Sequence, residues 1–81
     1  MNNMYDALVI DMKAIGNRIK KLRKEKSIKA TDISDRLGFS TPQAVYKWQR
    51  GECLPDIVNM LELTRMLDTT VEHLMLGDEE R

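Results

Sequence analysis

The chain has 81 residues, 42% of them apolar and 32% charged, which suits one small globular domain, leaves no room for a separate sensing domain and excludes a disordered tail. No apolar run reaches the roughly 18 residues of a membrane helix, and the opening MNNMYDALVI lacks the basic region and cleavage site of a signal peptide, so a cytoplasmic protein without a membrane partner is expected. The formal net charge is 0 but unevenly spread: residues 13–26 set seven basic side chains against Glu25, and residues 52–81 set eight acids against two arginines, so a polyanion would meet a basic half or an acidic half.

Residues 1–10 are expected to form an N-terminal arm, flexible or used in association, in which Ala7–Ile10 is the only stretch with strand character. A helical domain then spans residues 11–77, and residues 78–81 form an acidic tail. Met12, Ile15, Ile19 and Leu22 recur at steps of three and four, which predicts an amphipathic first helix from Asp11 to Lys26 with Asp11 as its cap. Gly16 costs this helix about 1 kcal/mol relative to alanine, tolerable where another backbone comes close. A second helix runs from Lys29 or Ala30 to Leu37, with Ile33 and Leu37 inward and Asp32 and Asp35 outward. Gly38 ends it, and Phe39 turns back to the core.

The stretch STPQAVYKWQRG, residues 40–51, predicts a third helix opened by Pro42 at its first helical position and stopped by Gly51. Asp56 caps a fourth helix, 57–67, with Ile57, Met60, Leu61, Thr64 and Leu67 inward. Thr69 and Glu72 have the spacing of a capping box for a last helix ending near Leu76. The result is a compact all-α domain of five helices joined by short connections.

At 100° per residue, Val45 and Trp48 share the inner side of the third helix, while Gln43, Tyr46, Lys47 and Arg50 share the outer side. An amide, a phenol and two cations in one row can make directed hydrogen bonds, and helix, glycine turn, helix is the arrangement that presents a second helix to the major groove of DNA. Gln43 matches adenine by accepting from N6 and donating to N7. Lys47 matches guanine O6 or N7, or a phosphate; Tyr46 suits a thymine methyl or the backbone; Arg50, at the far end, suits a phosphate. Cys53 and His73 each stand alone, so neither a disulfide framework, a zinc site nor a nucleophile with its base is expected; Cys53 reads as an unreactive thiol in a turn and His73 as a surface helix residue. No cofactor and no small-molecule effector is indicated.

IGNRIKKLRKEKSI in the first helix, DISDRLGFS through the turn, QAVYKWQRG in the third helix, then LP and the spacing that ends in VEHLM, resemble the lambda repressor-like, Cro/Xre-type helix-turn-helix family over residues 15–75. The resemblance implies a lambda repressor-like DNA-binding domain with its helix-turn-helix at the second and third helices. It places the family's buried positions on Ile33, Leu37, Gly38, Val45 and Trp48 and its base-reading positions on Gln43, Ala44, Tyr46 and Lys47. Family members bind as two-fold dimers on symmetric operators and repress or activate transcription, so double-stranded DNA and a second copy of the chain are the implied partners.

This chain departs from the family at four places. One extra residue separates Gly38 from Val45, with Thr41 and Pro42 in the turn. Ala30 replaces a glutamine that clasps a phosphate, which leaves that role to Lys29 or Thr31; with Thr41 and Arg50 these make the expected phosphate-contacting set. Ser34 replaces an alanine, and Gln49 replaces a glutamate that pairs with the arginine equivalent to Arg23, so at best a hydrogen bond remains. The basic first helix is expected to flank the duplex, with the acidic fourth and fifth helices turned away. The alternative reading keeps the fold but uses its surface on another protein, as an antitoxin or antirepressor would; an enzyme is not expected, because no paired carboxylates, activated nucleophile or phosphate loop are visible.

Overall fold

The computed structural model describes residues 8–77; the rest of the expected arm, residues 1–7, and the acidic tail, 78–81, lie outside the described residues. Among the described residues five helices follow in order: α1 (Met12–Glu25), α2 (Ala30–Leu37), α3 (Gln43–Gln49), α4 (Ile57–Met66) and α5 (Val71–Leu76). Leu8 to Ile10 are exposed and carry no regular structure, so no strand forms among the described residues. Among the described residues, no helix is long and apolar enough to cross a membrane.

The helix starts follow local chemistry. Asp11 and Asp56 each accept from the backbone N–H three residues on, at 3.0 Å from Ala14 and 2.8 Å from Asn59. Before α2 the capping runs the other way, with Asp32 accepting from the N–H of Lys29 at 2.8 Å. Two expected starts shift by one residue. Pro42 takes the cap position, its carbonyl accepting from Tyr46 N–H, so α3 begins at Gln43. The last helix is capped by Thr70, which accepts from His73 N–H at 3.0 Å. Thr69 is committed elsewhere, since its own N–H closes the end of α4 on the carbonyl of Thr64 at 2.9 Å.

Helix ends α1 to α4 share one backbone device, in which a left-handed residue lets the next N–H reach back five residues. Gly38 and Gly51 take that conformation without cost, and Ser27 and Asp68 hold it with φ of 57° and 53°.

The core is built from Ile15, Ile19, Ala30, Ile33, Val45, Trp48, Met60, Leu63, Leu67 and Leu74, with Leu22, Leu37 and Phe39 packed around them. α1 packs on α3 and α5, α2 on α3 and α4, and α4 on α5. Three inward assignments are corrected. Met12, in the first turn of α1, runs past the core and is exposed. On α4, Ile57 is 64% and Leu61 50% exposed, and Leu63 is fully buried instead. The helical period alone fits either face of α4, because apolar residues at 57, 60, 61, 63 and 67 satisfy both; packing between α2 and α5 selects the arc Met60, Leu63, Thr64, Leu67.

Ser34, nearly fully buried, satisfies its hydroxyl on the carbonyl of Thr31 at 3.0 Å, so it fits where an alanine would. Arg36, in the last turn of α2, reaches Glu62 of α4 at 3.4 Å.

Candidate nucleic-acid interface

A seven-residue helix such as α3 does not persist alone in water, so its stability and direction come from what lies beneath it. Val45 is fully buried and Trp48 nearly so, and the Trp48 ring meets Phe39 edge-on with centroids 6.0 Å apart at 66°. Phe39 belongs to the turn after Gly38, so this pair locks the end of α2 to the underside of α3. On the other side Gly16 sits under the last turn of α3: a Cβ there would fall 2.5 Å from the Gln49 carbonyl oxygen and overlap that of Trp48.

Arg23 completes the anchorage. Its Nε donates to Gln49 Oε1 at 2.6 Å and its Nη1 to the Ile28 carbonyl at 3.2 Å, so one partly buried guanidinium ties α1, the α1–α2 turn and α3 together. The expected hydrogen bond at the family's ion-pair position is therefore present. The Arg23 guanidinium already makes this bond charge-assisted, and a carboxylate in place of the amide adds direct Coulombic attraction at the same site. Gln49→Glu is expected to stabilise the domain by about 1 kcal/mol, read as a rise in thermal midpoint that disappears when Arg23 is replaced by methionine.

With this underside fixed, Gln43, Tyr46, Lys47 and Arg50 are all exposed along the outer face of α3. Ala44, expected among the base readers, is half-buried and packs partly against the core. Thr41 is exposed in the turn, with its hydroxyl oxygen 3.5 Å from the N–H of Gln43. Lys29 and Thr31 are exposed at the start of α2, flanking a buried Ala30.

Arg50 is not a free cation in this structure, because its Nε donates to Glu52. That hydrogen bond, with the charges of Arg50 and Lys47 adding to it, holds the Glu52 carboxyl below the usual carboxylate range. Lys13, Asn17, Gln49, Arg50 and Glu52 line an open cleft between α1 and the end of α3. Glu52 escapes notice in the sequence, where it is one acid of an acidic half; the only signal is its place two residues after Arg50, across a glycine.

The cations of α1 are divided between roles, which corrects the picture of one basic flank. Arg18 donates to the Leu74 carbonyl at 2.9 Å and so holds α5, while Arg23 holds α3. Lys26 reaches Asp68 at 3.9 Å and Lys21 reaches Glu25 at 4.0 Å. Of the seven, Lys13, Lys20 and Lys24 have no ion pair among the described residues, and their spacing sets them on one exposed stripe of α1. His73, expected at the surface, is half-buried in a depression lined also by Arg18, Lys21, Leu22, Glu25 and Gly77.

A short helix, a glycine turn and a second helix with an apolar underside and a polar outer row define a helix-turn-helix protein. No family model matches the chain. Solved structures do. The P22 c2 repressor, in complex with a synthetic operator, is 30% identical and superposes with a TM-score of 0.73 over 79% of this chain and 96% of that one. The restriction-modification controller protein C.AhdI from Aeromonas hydrophila is 26% identical, with a TM-score of 0.70 over 80% of this chain and 97% of that one. In sequence, the chain is 28% identical over 60 residues to the uncharacterized HTH-type transcriptional regulator YqaE of Bacillus subtilis strain 168; the match spans 74% of this chain and 51% of that protein, about half its length. The chain belongs to the lambda repressor-like, Cro/Xre-type helix-turn-helix family.

Proposed function

We propose that the chain is a sequence-specific double-stranded DNA-binding protein of the cytoplasm, a transcriptional regulator of repressor type, and that it binds as a homodimer with one α3 in each of two successive major grooves. The observation that carries this reading is the division of α3 into a buried Val45 and Trp48 and an exposed row of Gln43, Tyr46, Lys47 and Arg50. The repressor and controller proteins named above are its relatives in fold and sequence, and the reading contains no catalytic step.

In this reading each side chain acts by its chemistry. Gln43, in the first turn of α3, presents an acceptor and a donor to adenine N6 and N7, and Lys47, one turn on, donates to guanine or to a phosphate. Ala44 and Tyr46 offer apolar contact to a thymine methyl. Lys29, Thr31, Thr41 and Arg50 bracket the row and hold the backbone, which sets register without reading sequence. Two copies related by a two-fold axis would place their reading helices about 34 Å apart.

Selection of bound sequences from a random duplex pool tests the whole reading: enrichment of a two-fold symmetric site is expected, and a pool that stays random would end it. On the selected site, Gln43→Ala is expected to lose discrimination at one base pair by about 1–3 kcal/mol, whereas Lys29→Ala weakens selected and scrambled duplexes alike. With about four phosphates neutralised, log K should fall against log salt with a slope of about −3.6. Equal losses for both substitutions on both duplexes would reject these roles.

A further inference from the structure

Glu52 has no part in that reading, yet the fold places it with care. α3 closes with Gly51 N–H on the Trp48 carbonyl and Glu52 N–H on the Lys47 carbonyl, both at 3.0 Å, with Gly51 at φ 76°. The same closure ends α1, α2 and α4, where the corresponding residues are Ile28, Phe39 and Thr69: two apolar side chains packed against the core and one neutral hydroxyl. At the end of α3 the position holds a glutamate. The backbone motif, and not the ion pair, thus delivers a carboxylate to the exit of the outer row, on Arg50 and within the electrostatic reach of Lys47. A negative side chain there meets the negative end of the helix dipole, so helix stability does not call for it.

Glu52 Oε2 accepts from Arg50 Nε, and both side chains are about half exposed, 49% and 53%. An exposed pair of this kind is weak and exchangeable. A phosphate oxygen offers the guanidinium the same charge-assisted bond. We propose that Glu52 is an intramolecular competitor for the phosphate site of Arg50, holding the guanidinium in the free protein so that DNA must displace it. This inference rests on the DNA-binding reading and deepens it. The cost of displacement falls on every duplex alike, which keeps phosphate-only binding weak while the base contacts of Gln43 and Lys47 are untouched.

The test is a double-substitution cycle read by fluorescence anisotropy on a labelled mixed-sequence duplex at moderate salt, using the full chain. Glu52→Gln is expected to tighten binding about threefold to fivefold, with an unchanged thermal midpoint confirming the fold. In an Arg50→Ala background most of that gain should vanish. Equal tightening in both backgrounds overturns the proposal, since Glu52 would then act by general repulsion. So does an unchanged affinity for Glu52→Gln when the unsubstituted protein binds normally, a result that leaves the DNA-binding reading standing. Failure of the unsubstituted protein to bind any duplex overturns both.

Discussion

Gly16→Ala is expected to destabilise the domain by about 2–3 kcal/mol, although helix propensity alone predicts a gain of about 1 kcal/mol for the same change. The sign decides between two accounts of this glycine. A Cβ at position 16 would overlap the Trp48 carbonyl oxygen and lie 2.5 Å and 2.7 Å from the Gln49 carbonyl oxygen and carbon. These are backbone atoms, which cannot rotate aside as a flexible side chain could, so α1 and α3 must separate. Separation in turn stretches the 2.6 Å bond from Arg23 to Gln49 and leaves a partly buried guanidinium short of an acceptor. For a chain of this length total stability is about 4–12 kcal/mol, so the loss is a large share of the whole. Urea unfolding followed by the emission of Trp48, the chain's one tryptophan, reads it directly. A raised midpoint would show that the helices do not meet at Gly16.

The close approach is legible in the sequence, because a glycine inside an amphipathic helix has few uses other than letting another backbone come near. The same holds for the caps at Asp11 and Asp56, and for the two sides of α3, where the spacing of Val45 and Trp48 admits one inner face only. α4 was not legible in the same way. Its apolar residues are dense enough to satisfy two faces, and the choice is made by α2 and α5, which are distant in sequence. Charge was the least legible feature. Counting cations along α1 suggests a single basic flank, but Arg18 is committed to a carbonyl 56 residues away and Arg23 to a side chain 26 residues away. Only packing reveals such commitments. Glu52 is hidden for a similar reason, since nothing in a sum of charges distinguishes it from the other acids of the C-terminal half.

Trp48→Ala is the substitution expected to cost most, about 3–5 kcal/mol from lost burial and the cavity left behind. Set against a total of about 4–12 kcal/mol, the loss is the largest single share of the stability, and from the lower part of that range it leaves much of the protein unfolded at room temperature, seen as loss of far-ultraviolet ellipticity. Trp48→Phe keeps an aromatic ring against Phe39 and should stay folded, at a cost of about 1–2 kcal/mol. The consequence for function follows from the length of α3. Seven residues hold a helical conformation only while docked, so the outer row of Gln43, Tyr46, Lys47 and Arg50 exists as a row only while Trp48 is in place. DNA retention should therefore be lost with the fold in Trp48→Ala and kept in Trp48→Phe, whose ring lies on the face opposite the outer row. A stabilising osmolyte should restore ellipticity and DNA binding to Trp48→Ala together, because excluded cosolvents favour the buried state without adding a contact to DNA. Restored ellipticity without restored binding would mean that the indole itself, and not the support it gives to α3, is what the DNA requires.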